Sequence, residues 1–267
     1  MASRIKQAQE AYEKGDLAAA KAVHTKQAIQ HAESHNKGEG KYLGEFVYGA
    51  IDGTVTTFAI VAAAAGASLS AGTVLILGFA NLLADGFSMA SGNFLSERAQ
   101  KEYIAKERKR EEWEVEHMPE GEVAEIREIF QKKGFKGKDL DRAVEIITSD
   151  KKVWVDTMMS DELGLIHHGK SAWKTAAMTY AGFLSIGVIP LLSYLFAYFL
   201  PFFQQRTFLI GIGMTGVALV VIGVVKRRVT KKSLWGSVLE TVFVGGFAAA
   251  ISYLIGWFLR WLIGTVI

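Results

Sequence analysis

Long apolar segments alternate along the chain with segments that are dense in charge. Five apolar segments each approach or exceed the roughly 20 residues that a helix needs to cross the hydrocarbon core of a bilayer. The pattern predicts an all-α membrane protein with five transmembrane helices and a three-helix cytoplasmic insert between helices 2 and 3. The predicted spans are Phe46–Ala67, Thr73–Leu95, Ala172–Leu200, Phe208–Val225 and Leu234–Leu259.

Short connections and prolines refine these spans. The segment Ser68–Gly72 is too short for anything but a tight turn, so the first two spans form an antiparallel hairpin. Pro190 lies inside the third span and predicts a kink there, because proline removes a backbone hydrogen bond. Pro201 is expected to end the same helix.

The charged insert is predicted to contain three helices. The first continues from the second span through Arg98–Glu116 and stops before Pro119. The second covers about Glu120–Lys133. The third covers about Asp139–Leu163, with a break near Asp150. The few apolar positions in these helices suit a small bundle.

These elements divide the chain into four parts. Residues 1–41 form a polar N-terminal segment, and residues 42–95 hold transmembrane helices 1 and 2. Residues 96–170 form the insert, and residues 171–267 hold transmembrane helices 3–5. The absence of an apolar leader near the N-terminus predicts no cleaved signal peptide.

The N-terminal segment is predicted to be soluble helix. The residues around Gly15-Asp16 have the pattern of one tetratricopeptide-like helical hairpin, but a single repeat cannot stack into a core by itself. We therefore expect instead a solvated amphipathic helix that lies beside the membrane domain. His24, His31 and His35 share a helical face. No carboxylate lies in register with them, so we expect no metal site there.

Basic residues predict the orientation in the membrane, because loops rich in Lys and Arg stay in the cytoplasm. The loop after helix 4 is the most basic of the short loops. Five spans then place the N-terminus and the insert in the cytoplasm and the C-terminus outside. The basic residues of this loop are Lys226, Arg227, Arg228, Lys231 and Lys232.

Composition narrows the chemistry. The chain contains no cysteine, which excludes disulfides and thiolate metal sites. The net charge of +3 is small, and no nucleic-acid partner is expected. Of the 27 acidic residues, 18 lie between Ser96 and Lys170, so the insert is where carboxylate chemistry is concentrated.

A polar stripe interrupts the second span. Asn81, Asp85 and Met89 follow one another at intervals of four, which places them on one face of a helix. A carboxylate at membrane depth costs about 2.5–3.5 kcal/mol on insertion scales. Its presence therefore indicates a function, which is the handling of something polar inside the membrane.

The first span carries a second carboxylate, Asp52, between Gly49 and Gly53. Glycines at this spacing permit close helix approach. Asp52 and Asp85 with Asn81 and Met89 would form a mixed oxygen and sulfur site, which suits a first-row divalent cation better than calcium or magnesium. The alternative is that the two carboxylates are structural hydrogen-bonding or proton-relay groups that bind no metal.

The insert carries a second candidate metal site of carboxylates and thioethers. Glutamates at helical spacing lie on its first two helices, and a Met-Met pair precedes a glutamate near its end. Lysines and arginines are also abundant here, so an ordinary solvated charged face is the alternative. The candidate ligands are Glu111, Glu114, Glu122, Glu125, Met158, Met159 and Glu162.

Two further motifs carry little weight. The glycine pattern at Gly211–Gly216 matches a dinucleotide fingerprint but lies inside a predicted span with no preceding strand. Glu114 and His117 have the Glu-x-x-His spacing of a di-iron carboxylate bundle. Such a bundle needs a second copy of the motif, which the sequence lacks.

Three segments together resemble the vacuolar iron transporter family of divalent-cation/proton antiporters. The resemblance covers about Tyr42 to the C-terminus and leaves out the first 40 residues. Its specific parts are Gly49–Gly53 in the first span, Ser88-Met89 in the second, and Met158–Leu165 at the end of the insert.

The resemblance implies a homodimer of five-span protomers, with the ion pathway at the dimer interface and a cytoplasmic insert that collects metal ions. It implies pathway roles for Asp52 and Met89 and a ligand role for the insert residues named above. Plant and fungal members have glutamate where this chain has Asn81, and no acid at Asp85. We therefore expect Asp85 to replace that carboxylate, in a prokaryotic-type member.

The expected function is secondary transport of Fe²⁺ or Mn²⁺ out of the cytoplasm in exchange for protons, with Zn²⁺ and Co²⁺ as further candidate ions. No prosthetic group and no enzymatic activity are expected, and the expected location is the inner (plasma) membrane. Two alternatives stay open. One is a membrane-anchored iron-oxidising or iron-storing protein, and the other is a membrane metal sensor.

Overall fold

The computed structural model describes residues 4–25, 41–165, 169–204, 206–230 and 233–264. All regular elements in these ranges are helical, as the hydrophobic pattern predicts.

The N-terminal segment contains helices α1 (Arg4–Lys14) and α2 (Leu17–Ala22). Gly15 makes the turn between them with a φ of +65°, a conformation that glycine adopts without strain. The side chain of Asp16 then caps α2 by accepting hydrogen bonds at 3.0 Å from two backbone N–H groups of its first turn. The described part of this segment is therefore a helical hairpin, which agrees with the alternative interpretation and not with the expected amphipathic helix.

The first two spans form the predicted hairpin. Helix α3 covers Leu43–Gly66, and helix α4 covers Ala71–His117. Ser68 turns the chain between them with a φ of +55°. Helix α4 has 47 residues, so it continues without interruption from the apolar span into the charged insert. This confirms the prediction that the first insert helix extends the second span.

The rest of the insert contains α5 (Pro119–Lys132), α6 (Gly137–Thr148), α7 (Lys151–Thr157) and a π-helical turn at Met158–Glu162. Proline begins α5 at a position where its missing N–H costs nothing. Asp150 makes the predicted break, because its carboxylate caps α7 by accepting from two backbone N–H groups at 2.8 and 3.2 Å.

The insert has its own hydrophobic core. Helix α5 packs against α6, α6 packs against α7, and the π-turn packs against α5. The last turns of α4 contribute Val115 to this core. Burial of these apolar side chains holds the short, highly charged helices together. The buried members are Val115, Ile126, Leu140, Val144, Trp154, Val155, Met158 and Met159.

The third span consists of α8 (Ala172–Gly187) and α9 (Ile189–Phe196), and a short helix α10 (Pro201–Gln204) follows. The predicted kink is confirmed, because the helix is interrupted at Val188, two residues before Pro190. The predicted role of Pro201 is wrong. The span has already ended at Phe196, and Pro201 begins α10, where the first turn tolerates proline.

The last two spans are α11 (Thr207–Thr230) and α12 (Leu234–Gly264). Five helices of the described residues are therefore long and apolar enough to cross a membrane. This confirms the predicted all-α architecture with short helices between spans 2 and 3.

The helices belong to two compact units. The first contains residues 1–83 and 181–267, and the second contains residues 84–180. In the first unit α3 packs against α9, α11 and α12. Glycines permit backbone contact there: a side chain at Gly256 would collide with the carbonyl of Ala63, and one at Gly66 with the carbonyl of Tyr253.

Candidate metal centre

Asp52 lies half-buried on α3, next to a tight helix crossing. A Cβ atom added at Gly53 would lie 2.5 Å from the carbonyl oxygen of Phe183 on α8. Gly187 at the end of α8 also meets the backbone of Gly53. The predicted close approach at Gly53 is therefore present, and it fixes the backbone that carries the carboxylate of Asp52.

Two threonines that follow Asp52 on α3 donate hydrogen bonds from their hydroxyls to backbone carbonyls of the same helix. The Thr54 hydroxyl donates to the carbonyl of Ala50 at 2.7 Å, and the Thr56 hydroxyl donates to the backbone carbonyl of Asp52 at 2.8 Å. Such bonds satisfy a hydroxyl in an apolar environment. The side chain of Asp52 thus supplies the ionisable group of this turn.

The predicted stripe on α4 is continuous, because Asn81, Asp85 and Met89 all lie in one unbroken helix. All three side chains are half-buried. The amide nitrogen of Asn81 is buried and has no hydrogen-bond partner among the described residues. Asp52 and Asn81 belong to the first unit and Asp85 and Met89 to the second, so their meeting in one site stays a prediction.

The five predicted glutamates of the insert face one another. Glu111 and Glu114 lie on α4, Glu122 and Glu125 on α5, and Glu162 on the π-turn. Burial, followed by repulsion between the carboxylates, raises the pKa of Glu111, Glu122 and Glu162. The spacing on three separate elements therefore produces one acidic cluster, which we define as these five glutamates.

Burial makes two of the carboxylates unusual. Glu111 is 2 % exposed and Glu122 is 5 % exposed. Burial, followed by repulsion from Glu125 and other members of the acidic cluster, raises the pKa of Glu122 to about 7. Burial and the charge of Glu162 raise the pKa of Glu111 to about 6, and burial with Glu125 raises the pKa of Glu162. Burial and repulsion thus bring the pKa values of Glu111 and Glu122 close to neutral pH.

Arg110 joins this cluster as a cation. Its guanidinium donates to the carboxylate of Glu111 at 2.8 Å and lies 3.2 Å from that of Glu107. The attraction of Arg110 partly opposes the rise in the pKa of Glu111. By contrast, the second carboxylate oxygen of Glu122 is buried and has no hydrogen-bond partner among the described residues.

Met158 and Met159 occupy the π-turn and are 0 % and 4 % exposed. Their side chains pack in the insert core with Val115, Ile126 and Val155. They therefore have a packing role in addition to the predicted ligand role, which stays a prediction. The fifth residue of the π-turn, Glu162, is exposed.

The cluster is not a closed cage. Within the described parts of the chain, no group of three His, Asp or Glu side chains has the spacing to hold a metal ion. Binding would therefore require the glutamates to move together. His117 stacks on Trp113, with ring centres 4.5 Å apart, and its Nδ1 lies 2.8 Å from the carbonyl of Trp113. This contact gives the Glu-x-x-His spacing an ordinary structural explanation.

Of the three histidines of the N-terminal segment, the structure describes His24. The ring of His24 bonds to the carbonyl of Ala20 at 2.7 Å. His31 and His35 lie outside the described residues, as do Lys231 and Lys232 of the basic loop.

Residues 43–257 match the family model described as the VIT family. The chain belongs to this family. The matched region contains every predicted ligand of both sites, from Asp52 to Glu162. It also contains all or most of each of the five long apolar helices.

Curated proteins named as vacuolar iron transporters are similar to this VIT-family chain. One from Toxoplasma gondii is 33% identical over 272 residues, covering 98% of this chain and 90% of the relative. One from Plasmodium berghei is 34% identical over 266 residues, covering 96% and 97%. Vacuolar iron transporter 1 of Oryza sativa subsp. japonica is 31% identical over 224 residues, covering 84% and 87%.

The family match begins at residue 43, which agrees with the expected extent of the resemblance, while the alignments with individual relatives differ in extent. The resemblance was expected to leave out the first 40 residues, and the rice alignment fits that limit. The Toxoplasma gondii alignment leaves only 2% of the chain uncovered, so it includes most of the N-terminal segment. The aligned region of the apicomplexan relatives thus extends into the N-terminal segment of this VIT-family chain.

The structure adds polar residues to the stripe that the sequence analysis did not single out. Asn93 and Glu97 continue it at intervals of four after Met89, and both are half-buried. The amide of Asn93 donates to the hydroxyl of Thr179 on α8 at 2.8 Å. The same four-residue spacing that revealed the stripe could have found them. They lie on α4 between the stripe and the glutamates of the insert.

Proposed function

We propose that this chain is a secondary transporter that moves Fe²⁺ or Mn²⁺ out of the cytoplasm in exchange for protons. The observation that carries the proposal is that α4, one continuous helix of a VIT-family chain, holds both Asp85 with Met89 and two glutamates of the acidic cluster. These two glutamates are Glu111 and Glu114. The names of the similar proteins support iron as a transported ion. Zn²⁺ and Co²⁺ are further candidate ions.

The acidic cluster would collect the ion. Carboxylates that are buried and mutually repelled take up protons when empty and release them when a cation arrives. The pKa values of Glu111 and Glu122, raised to about 6 and about 7, fit this exchange near neutral pH. Met158 and Met159, which are buried in the insert core, would add thioether ligands.

The stripe would carry the ion through the membrane. Met89 and Glu111 are 22 residues apart on α4, a separation of about 33 Å at the rise of an α-helix. Asn93 and Glu97 lie in this interval and would bridge part of it. Asp52 and Asp85 would alternate between a metal-bound and a protonated state, with Asn81 and Met89 as further ligands.

A dimer would complete the pathway. Half-buried polar side chains on α3 and α4 suit an interface that excludes lipid from the ion. We therefore propose a homodimer with the N-terminus and the insert in the cytoplasm and the C-terminus outside. We also propose a prokaryotic-type member in the inner (plasma) membrane, because the sequence has an amide at Asn81 and a carboxylate at Asp85 four residues later. Cross-linking of the full chain in cells would test the homodimer, and cell fractionation would test the membrane location.

The central experiment is transport in liposomes. Purified protein is reconstituted with a metal-sensing dye inside, and Mn²⁺ uptake is measured with and without an imposed pH gradient. We expect uptake that depends on the gradient and is lost in Asp52→Ala. The matched control is Glu102→Gln, an exposed carboxylate that pairs with Arg98 outside the acidic cluster. Transport that ignores the gradient, or that survives Asp52→Ala, would contradict the proposal.

A further inference from the structure

Arg110 has an unusual position, because a single guanidinium contacts three carboxylates of α4. Its Nη2 lies 2.8 Å from Glu111 and its Nε lies 3.2 Å from Glu107. The same Nε lies 3.9 Å from Glu114. Glu111 and Glu114 belong to the acidic cluster, so this arginine neutralises part of the proposed ion site.

The neighbouring arginine has a different environment. Arg108 pairs with Glu112 at 3.2 Å and with Asp156 at 2.6 Å, and neither carboxylate belongs to the acidic cluster. Among the ion pairs of the described residues, Arg110 is the one Lys or Arg within 4 Å of a cluster glutamate. The two arginines thus form a natural pair for comparison.

The cluster also holds a buried acceptor that Arg110 does not satisfy. Glu122 is 5 % exposed, and its Oε2 has no hydrogen-bond partner among the described residues. A buried carboxylate oxygen without a partner is costly unless a cation or donor reaches it. The metal-free cluster therefore has one guanidinium, placed at its α4 side, and an open acceptor on α5.

We infer that Arg110 is the resident counter-cation of the acidic cluster and that a divalent ion displaces it on binding. The inference rests on the proposed function, because it requires that the cluster binds the ion. Arginine stays protonated at physiological pH, so the pairing persists whenever the site is empty. A guanidinium and a divalent ion on neighbouring carboxylate oxygens repel each other.

The side chain of Arg110 has room to leave the acidic cluster when a divalent ion binds. It is 47% exposed, so the guanidinium can swing into water while its stem stays on α4. Competition by Arg110 lowers the affinity of the cluster for the ion. A transporter needs such a limit, because an ion held too tightly is released too slowly.

The test compares Arg110→Gln with Arg108→Gln in the full-length protein, by calorimetric titration with Mn²⁺. Removal of one nearby positive charge from the site is expected to lower the Kd by about threefold to tenfold in Arg110→Gln. Arg108→Gln is expected to bind like the wild type. Arg110→Lys keeps the charge and is expected to restore the wild-type Kd.

Three results would overturn the inference. One is an Arg110→Gln variant that binds Mn²⁺ no more tightly than Arg108→Gln. Another is an Arg110→Lys variant that binds like Arg110→Gln, because charge would then not be the cause. The third is a Glu111→Gln variant with unchanged affinity, which would also remove the proposed role of the cluster. If Glu111→Gln weakens Mn²⁺ binding while Arg110→Gln and Arg108→Gln have the same Kd, only the inference about Arg110 fails.

Discussion

Carboxylates are arranged in opposite ways in the membrane helices and in the insert. In the insert, glutamates from three elements meet over a small hydrophobic core, and burial together with mutual repulsion raises the pKa of Glu111 and Glu122. On the apolar part of α4, polar side chains occur once per turn and are half-buried. The first arrangement concentrates negative charge, and the second distributes single polar groups along a helix.

The difference indicates a division of labour. A crowded cluster binds cations and protons competitively, because its charges repel one another when it is empty. A row of separated groups offers a cation successive weak contacts, which suits passage more than storage. We therefore expect variants in the insert to change affinity and variants in the membrane helices to change turnover.

Loss of a buried cluster carboxylate should have the largest effect on the affinity for Mn²⁺. We expect Glu122→Gln to raise the Kd for Mn²⁺ by about 10- to 100-fold, because the open acceptor oxygen on α5 loses its charge. Titration of the full chain measures this effect. Glu128→Gln on the same helix is the control, since Glu128 is exposed and pairs with Lys132. Equal affinities for the two variants would contradict the role of the cluster.

The helix crossing beside Asp52 gives a stability prediction. Gly53→Ala would place a Cβ atom 2.5 Å from a backbone carbonyl of α8, so the helices must separate. We expect a loss of about 1–3 kcal/mol in stability, together with slower transport. Gly213→Ala is the control, since nothing lies within 4 Å of its added Cβ. A Gly53→Ala protein as stable as the control would show that the crossing is not tight.

The replacement of a carboxylate within the stripe gives the next prediction. We expect Asp85→Asn to lower Mn²⁺ transport by about tenfold while the Kd of the insert stays unchanged. A competition assay with Fe²⁺ and Mn²⁺ would show whether the preference between the two ions changes. Wild-type transport by Asp85→Asn would remove this residue from the pathway and leave Asp52 as the membrane carboxylate.

Protonation of the cluster predicts the smallest effect, a pH dependence of stability. The pKa of Glu122 rises from 4.5 to about 7 on folding, so the folded chain binds more protons than the unfolded chain between these values. The free energy of unfolding should therefore fall as pH rises through this window, by an amount on the order of 1–2 kcal/mol. Thermal unfolding without metal at pH 5.5 and 7.5 measures it. If the stability of Glu122→Gln depends on pH as steeply as that of the wild type, the pH dependence comes from other groups.

Much of the fold could be predicted because the bilayer sets the length of each apolar segment. The five spans agree with the predicted ranges to within a few residues at most ends. The break at Asp150 was also predictable, since a capping residue there begins a helix. The predicted role of Pro201 was wrong, because a proline can follow the end of one helix or stand in the first turn of the next. The sequence does not show that the third span already ends at Phe196.

The site could be predicted less completely. Spacing along α4 and α5 identified the glutamates, since helical periodicity fixes which residues share a face. The π-turn at Met158–Glu162 has no sequence signal of its own, so the burial of both methionines was not foreseen. The role of Arg110 was equally hidden, because sequence position alone cannot distinguish it from Arg108.

The dependence of transport on Mn²⁺ concentration tests the division of labour most directly. Glu122→Gln and Asp52→Ala are compared in the same liposomes, each over a wide range of Mn²⁺. We predict that Glu122→Gln recovers the wild-type maximal rate at high Mn²⁺, and that Asp52→Ala stays inactive at every concentration. Recovery of transport by Asp52→Ala at high Mn²⁺, or a loss of maximal rate in Glu122→Gln that persists at high Mn²⁺, would contradict the proposed division of labour.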